Sequence, residues 1–204
     1  MEAQKLGLGV AQRPTRIYVE KLQNSYWHLW DTVTEKAIPI TESNITGFLS
    51  DCYVTEKKTD FGTSKKLHLL INADKVYEVI SGLDTWFSKT ILLALCEQSP
   101  KVFLNPITIE LSSTDATKKV IFGRLYVNNS LRAHRSSYDW KLDLNAPEQQ
   151  RFSPEVAANA MSESLKELLN NQQPSPTIAI TDSEKINYFP EIEESIEGTE
   201  SIPF

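Results

Sequence analysis

The sequence predicts a mainly β domain that is followed by one helix and an acidic tail. Three observations lead to this prediction. Short runs rich in β-branched and aromatic residues recur up to residue 127, separated by polar turn residues. A single helical pattern interrupts these runs between about residues 85 and 98. After residue 150 the chain becomes rich in Glu, Ser, Pro and Gln, a composition that does not build a core.

The N-terminal region is predicted to contain a flexible arm and three short strands. Residues 1–16 are assigned to the arm, since they lack an apolar pattern. Aromatic and β-branched residues then cluster at 17–19, 27–30 and 37–40. The sequence TVTEK supplies a turn between the last two of these strands.

Five further strands and a helix follow. A polar loop, EKKTDFGTSKK, separates the first of these strands from the second, with Gly62 as its turn residue. Asp84 is the predicted N-cap of the helix, and Pro100 ends it. The strands are predicted at 45–55, 67–73, 76–80, 107–111 and 119–127, and the helix at about 85–98.

This order of elements predicts a particular topology. Three strands, a helix and two strands form the order of an OB-fold, a five-stranded Greek-key barrel. Residues 17–145 are therefore expected to form an OB-like domain, and the strands between 27 and 40 are an N-terminal addition to it. A generic small β-barrel or α+β domain contains the same elements and remains the alternative.

A second helix is predicted at 153–170. Ser153 is a good N-cap, Pro154 suits the first helical position, and Glu155 places a negative charge in the first turn. Apolar residues form one stripe along this helix, but the stripe is too weak to stabilise an isolated helix. We therefore expect the helix to pack on the barrel or on a second copy of itself. The predicted stripe consists of Val156, Ala157, Ala160, Met161, Ser164, Leu165, Leu168 and Leu169.

Charge is distributed unevenly along the chain. Residues 1–150 hold 18 Lys and Arg against 17 Asp and Glu, a net charge of +1. Residues 151–204 hold 3 against 10, a net charge of −7. With few aliphatic residues, the segment 171–204 cannot bury enough apolar surface to offset the entropy of ordering. The sequence therefore predicts a disordered acidic tail behind a nearly neutral body.

The tail ends in a small apolar group, Ile202, Pro203 and Phe204, whose last residue carries the free carboxylate. This arrangement resembles the C-terminal tip of bacterial, phage or plasmid single-stranded DNA-binding proteins. The resemblance implies that the tip docks on replication, repair and recombination enzymes, with the Phe ring in a pocket and the acids steering it toward a basic rim. The acids that match are Glu191, Glu193, Glu194, Glu197 and Glu200.

The body contains the residue types that single-stranded nucleic acid requires, which are cations for the backbone and aromatic rings for the bases. The strand at 119–127, with a side-chain period of two, places Phe122, Arg124 and Tyr126 on the face opposite the core. On the strand at 67–73, Lys66 and His68 face outward. The candidate nucleic-acid contacts are Lys57, Lys58, Phe61, Lys65, Lys66, His68, Lys118, Lys119, Phe122, Arg124, Tyr126 and Arg132. The candidate partner-docking residues are Glu197, Glu200, Ile202, Pro203 and Phe204.

The sequence indicates no enzymatic function. It contains no Walker loop, GxGxxG, GxSxG or HExxH motif, and no cofactor or metal site is predicted. No apolar run is long enough to span a membrane, and we expect a cytoplasmic, nucleoid-associated protein. The predicted function is to protect single-stranded DNA and to recruit enzymes to it. The alternative is a β-barrel interaction adaptor that uses the same tip without binding DNA; the oligomeric state stays open.

Overall fold

A computed structural model describes residues 13–22, 25–60, 62–113, 120–127, 145–147 and 151–171. Within these residues, eight strands and two α-helices form the body of the protein. The strands are β1 (Thr15–Leu22), β2 (Ser25–Asp31), β3 (Lys36–Pro39), β4 (Asn44–Thr59), β5 (Gly62–Asn72), β6 (Val76–Gly82), β7 (Ile107–Ser112) and β8 (Phe122–Val127). The helices are α1 (Trp86–Cys96), a 3-10 helix (Pro100–Leu104) and α2 (Pro154–Asn170).

The strands form one curled, half-barrel sheet in the order β3-β2-β1-β6-β5-β4-β7-β8. Neighbouring strands are antiparallel except for β1 and β6, which are parallel. The hydrophobic core lies between the inner face of this sheet and the two α-helices. The predicted mainly β class is confirmed.

The short N-terminal strands belong to this sheet. They were predicted at 17–19, 27–30 and 37–40, and the structure places strands at all three positions. β1 lies directly beside β6, with Ile17 opposite Val79, and both side chains are buried in the core. The three N-terminal strands, β1 to β3, therefore share the core and lengthen the sheet.

The predicted loop between β4 and β5 is wrong. The ladder of paired residues continues without interruption from Val54 opposite Leu67 to Thr59 opposite Gly62. Polar side chains do not end a strand when the neighbouring strand still satisfies its backbone hydrogen bonds. Gly62, the predicted turn residue, is the first residue of β5, and its φ of 119° is a conformation that glycine adopts without a steric penalty.

Helix α1 begins one residue later than predicted. Its N-cap is Thr85, whose Oγ1 accepts a hydrogen bond from the Ser88 N–H at 3.3 Å, and not Asp84. At its other end α1 stops at Cys96, and Pro100 begins the 3-10 helix instead of ending α1. Threonine suits the N-cap for the same reason as aspartate, because its side-chain oxygen reaches the exposed N–H groups of the first turn.

Helix α1 packs very closely on β8. A Cβ at Gly123 would come within 3.1 Å of Ile91 and Phe87, so a larger residue there would push these side chains aside by a few tenths of an ångström. The Gly123 N–H donates a hydrogen bond to Thr90 Oγ1 at 3.0 Å. The helix therefore covers the edge of β8 and pairs a backbone donor that would otherwise face outward.

Helix α2 packs on β4 and α1, which confirms that it lies on the body. Ser153 is its N-cap, as predicted. The predicted apolar stripe is only partly right, because Ala158 is fully buried while Val156 is 67% exposed and Leu169 is 46% exposed. The helix is rotated toward its small residues, which allow a closer approach to the sheet.

Candidate nucleic-acid interface

Alternation along β5 separates the two faces of the sheet. Leu67, Leu69 and Ile71 have no exposed surface and point into the core. Lys66 and Asn72 are exposed on the opposite face, which we call the outer face. These orientations confirm the pattern that the sequence predicts for this strand.

His68 lies on the outer face but is only 8% exposed. Its Nδ1 lies 2.9 Å from Glu78 Oε1, and its Nε2 lies 2.7 Å from Thr55 Oγ1. This geometry fits a neutral ring in which Nδ1–H donates to Glu78 and Nε2 accepts from Thr55. Burial lowers the pKa of His68 below its usual value, against the opposing pull of the Glu78 carboxylate. The ring therefore points outward as predicted, but it is covered and both of its nitrogens are already engaged.

Glu78, on β6, is the centre of this polar cluster. Its carboxylate accepts hydrogen bonds from the Tyr53 hydroxyl at 2.6 Å and from Arg16 Nε at 2.8 Å, in addition to His68. Burial acts to raise the pKa of Glu78, but these three hydrogen bonds outweigh it and the pKa stays below its usual value. Burial, together with Glu78, raises the pKa of Tyr53 to about 12. The cluster is thus fully paired, as a buried carboxylate requires.

The outer face of β8 carries the predicted residues. Leu125 and Val127 are buried in the core, whereas Phe122, Arg124 and Tyr126 lie on the other side and are partly exposed. This division confirms the period-two reading of the strand. The strand was predicted to begin at residue 119, but β8 begins three residues later, at Phe122.

Two of these β8 side chains share one acidic neighbour. The Tyr126 hydroxyl donates a hydrogen bond to Glu110 Oε2 at 2.7 Å, and an Arg124 terminal nitrogen lies 3.6 Å from the same oxygen. The Glu110 hydrogen bond raises the pKa of Tyr126. Phe122 packs against Trp86, with 5.9 Å between ring centroids. Arg124 keeps 39% of its side chain exposed and remains within reach of a ligand.

The ladder between residues 56 and 66, which we call the basic hairpin, presents the predicted lysines. Lys57 and Lys58 are exposed. Lys65 pairs with Glu155 of α2 at 2.6 Å, and this ion pair raises the pKa of Lys65. An ion pair therefore links the base of the basic hairpin to α2, whereas Lys57 and Lys58 are exposed to solvent.

Neighbouring strands bring four rings into a line across the outer face. The register places Tyr53 beside His68, His68 beside Ile80, Ile80 beside Tyr18, and Tyr18 beside His28. Tyr53 and His68 stack with 4.8 Å between ring centroids, and Tyr18 and His28 with 5.5 Å. We call these four rings the aromatic row.

Sequence reasoning missed three members of this surface, namely Tyr18, Tyr53 and Arg16. A local signal existed for Tyr18, which follows the core residue Ile17, and for Tyr53, which follows the core residue Cys52. Alternation along each predicted strand would have placed both rings on the outer face. No local signal shows that the two rings belong to one line, because that depends on the order of the strands.

The remaining sequence-predicted site residues lie outside the described residues. They are Phe61, Lys118, Lys119, Arg132, Glu197, Glu200, Ile202, Pro203 and Phe204. Most of the predicted arm at 1–16 and almost all of the predicted tail at 171–204 also lie outside them.

Comparison with known proteins adds no relative. A search of protein-family models, curated protein sequences and solved structures finds no match to the chain. In the described part of the chain, His, Cys, Asp and Glu side chains form no group of three or more that suits a metal ion. None of the described helices is both long and apolar enough to cross a membrane.

Proposed function

We propose that the chain binds single-stranded DNA along the outer face of its sheet. The observation that carries this proposal is the aromatic row, whose two tyrosines are partly exposed, with the cations Lys66 and Arg16 beside it. Lys66 Nζ lies 5.8 Å from the centroid of the Tyr18 ring, and the Arg16 side chain is 66% exposed. Rings that stack on bases and cations that follow the phosphates are the two requirements for binding a single strand.

The bound strand would extend from this row onto two flanking surfaces, the basic hairpin and the outer face of β8. The hairpin supplies exposed ammonium groups, and β8 supplies Arg124 and Tyr126. The proposed contacts are Arg16, Tyr18, Tyr53, Lys57, Lys58, Phe61, Lys65, Lys66, Lys118, Lys119, Phe122, Arg124, Tyr126 and Arg132.

We assign the strands β4 to β8, with α1 between β6 and β7, to an OB-type unit. The connectivity supports this assignment, because β4 pairs with both β5 and β7, β5 pairs with β6, and β7 pairs with β8. In this assignment β5 and β6 are the second and third OB strands, whose face binds oligonucleotides in such folds. The parallel partner of β6 is β1 in this chain.

The C-terminal tip gives the protein a second proposed role, which is to recruit replication, repair and recombination enzymes. Its support is the sequence alone, with five glutamates before Ile202, Pro203 and Phe204. Deleting Phe204 removes the ring and moves the free carboxylate onto Pro203, so enzyme capture from an extract of the source cells should be lost while DNA binding is kept. If full-length and shortened protein retain the same enzymes, the recruiting role is wrong.

A fluorescence titration tests the DNA-binding role. Adding a polythymidine oligonucleotide should quench the tryptophan fluorescence, most strongly at low salt.

Tyr126→Ala should cost on the order of 1–3 kcal/mol of binding free energy because a stacking partner is lost. Tyr77→Phe is the matched control, since Tyr77 follows the inward alternation of β6 and lies opposite the outer face. Unchanged affinity in a folded Arg124→Ala/Tyr126→Ala protein would exclude β8 from the interface.

One observation favours the adaptor alternative. Glu78 and Glu110 pair with Arg16 and Arg124, respectively, and so offset part of the positive charge of the outer face. Glu155 does the same for Lys65 of the basic hairpin. A face of paired charges suits a protein partner as well as it suits a polyanion. The titration separates the two functions, because an adaptor shows no quenching at any salt concentration.

A further inference from the structure

A recess of about 210 Å³ opens among β5, β6, β1 and β2. It lies at one end of the aromatic row, on the strands that precede the OB-type unit. The residues that matter for its chemistry are Tyr18, Glu20, His28, Lys66 and Gly82. They provide an aromatic ring, a carboxylate, an imidazole, an ammonium group and a position without a side chain.

His28 is the unusual member of this group. It is only 5% exposed, yet its Nδ1 has no hydrogen-bond partner among the described residues, the one buried side-chain polar atom there of which this is true. Burial lowers the pKa of His28, against the opposing charge of Glu20, so the ring is neutral at pH 7. A buried polar atom without a partner destabilises the fold, and a ligand that pairs with it offsets this cost.

Tyr18 and Lys66 line the same recess as His28 and provide the other groups that a nucleotide needs. The Tyr18 ring stacks on His28 with an angle of 22° between the planes. Lys66 Nζ lies over the Tyr18 ring at 5.8 Å from its centroid. A nucleotide presents a flat base and an anionic phosphate at a short distance from each other, which matches a ring with an ammonium group close to it.

We propose that this recess takes one nucleobase of the bound single strand. The His28 Nδ1 forms a hydrogen bond to the edge of the base, the Tyr18 ring packs against the base, and Lys66 contacts the adjoining phosphate. This inference rests on the proposed DNA binding and adds to it a base preference. Stacking accepts every base, whereas one directional hydrogen bond in a recess does not.

The contact lies on strands that a five-stranded OB unit does not contain. Tyr18 belongs to β1 and His28 to β2, and their register fixes the two rings opposite each other. The N-terminal strands would thus extend the binding face and also supply its selective position. A free mononucleotide has the same chemistry as one residue of a strand, so the test must separate these two sources.

Nitrogen-15 NMR of the histidine rings in the full chain is a direct test. A polythymidine oligonucleotide of about 20 residues, longer than the usual site of one OB unit, is added to saturation. We expect the His28 Nδ1 resonance to shift and the His68 resonances to remain in place, since Glu78 and Thr55 already occupy both His68 nitrogens. The measurement is repeated with polycytidine and polyadenosine, and an unshifted His28 in all three DNA-bound forms overturns the proposal. A shift of equal size with thymidine monophosphate assigns the recess to free nucleotides and overturns the strand assignment.

A variant provides a second test. His28→Phe keeps a ring against Tyr18 but removes the nitrogen, and Tyr77→Phe is the aromatic control on the other face. The wild-type protein should prefer one homopolymer among polythymidine, polycytidine and polyadenosine by roughly two- to tenfold, the value of one hydrogen bond. In His28→Phe the ratio of affinities for the three homopolymers should fall to about one, and the Tyr77→Phe control should keep the wild-type ratio.

The outcomes distinguish failure of the proposed DNA binding from failure of the proposed base recess. No binding to any homopolymer by wild-type protein overturns the proposed function and this inference with it. Binding without a preference, or a preference that His28→Phe retains, overturns only the inference. If His28→Phe does not fold, the NMR measurement on wild-type protein decides alone.

Discussion

Two carboxylates on the outer face have the same kinds of neighbours but very different surroundings. Glu78 on β6 accepts a hydrogen bond from Tyr53 at 2.6 Å and pairs with an arginine at 2.8 Å. Glu110 on β7 accepts one from Tyr126 at 2.7 Å and lies 3.6 Å from an arginine. The Glu78 side chain is 6% exposed, however, and that of Glu110 is 30% exposed.

The difference shows that burial, more than the identity of the partners, decides what a charge pair does. A buried carboxylate has lost its hydration and must keep every hydrogen bond that replaces it. A carboxylate near the surface is hydrated and screened, so its pair contributes little and exchanges readily. We therefore infer that the Glu78 cluster stabilises the outer face of the sheet. Glu110 binds Arg124 and Tyr126 more weakly, so a phosphate can take its place beside them.

The largest expected effect is on stability at the buried site. Glu78→Gln turns an acceptor into a group with its own N–H donors, which then face the donors of Arg16 and His68. The free energy of unfolding should fall by roughly 1–3 kcal/mol, the cost of leaving buried donors without acceptors. Denaturant unfolding at pH 7 measures it.

Glu110→Gln is the matched control for that substitution. Because its side chain is better exposed, the free energy of unfolding should change by no more than about 1 kcal/mol. Equal losses for Glu78→Gln and Glu110→Gln would contradict the distinction that burial makes between the two sites.

The second expected effect is a loss of stability in acid, which comes from His68 and Glu78 of the buried cluster. The folded-state pKa of His68 lies below its usual 6.5, and that of Glu78 lies below its usual 4.5. On acidification the unfolded chain therefore takes up each proton first, so the stability is fully present above about pH 6.5. It falls as the pH drops from there through the folded-state pKa of His68, and falls again below about 4.5.

His68→Gln tests this assignment. The loss of stability below about pH 6.5 should be smaller in the variant than in the wild type, and the remainder comes from His28, whose pKa is also lowered by burial. Unfolding curves recorded across this pH range, for wild type and variant, give the slopes. An unchanged slope in His68→Gln would show that the cluster does not couple protonation to folding.

The smallest expected effect concerns DNA binding at the exposed site. Glu110→Gln removes a negative charge beside Arg124 and Tyr126, so single-stranded DNA should bind roughly two- to fivefold more tightly at low salt, in keeping with the value of an exposed pair. Glu163→Gln, at an exposed position of α2, changes the net charge equally and serves as the control. The gain should disappear at high salt. An equal gain in both variants would mean that only net charge matters.

The sequence by itself determined which side chains enter the core along β5 and β8. Leu67, Leu69 and Ile71 of β5, and Leu125 of β8, follow from a period of two that is written locally in the chain. The N-cap of α2 was equally local, since Ser153 and Pro154 are adjacent. These predictions needed no knowledge of neighbouring strands, because backbone geometry alone sets the direction of each side chain.

Only the tertiary structure decided which outer-face residues are accessible. His68 obeys the predicted alternation, but it is covered because Glu78 lies on the next strand and Arg16 reaches Glu78 from 62 residues away. The aromatic row likewise depends on β1 lying parallel to β6, a pairing that no local pattern announces. Alternation is a property of one strand, whereas burial of a polar group depends on partners from several strands, and the free energy of those contacts arises only when the strands meet.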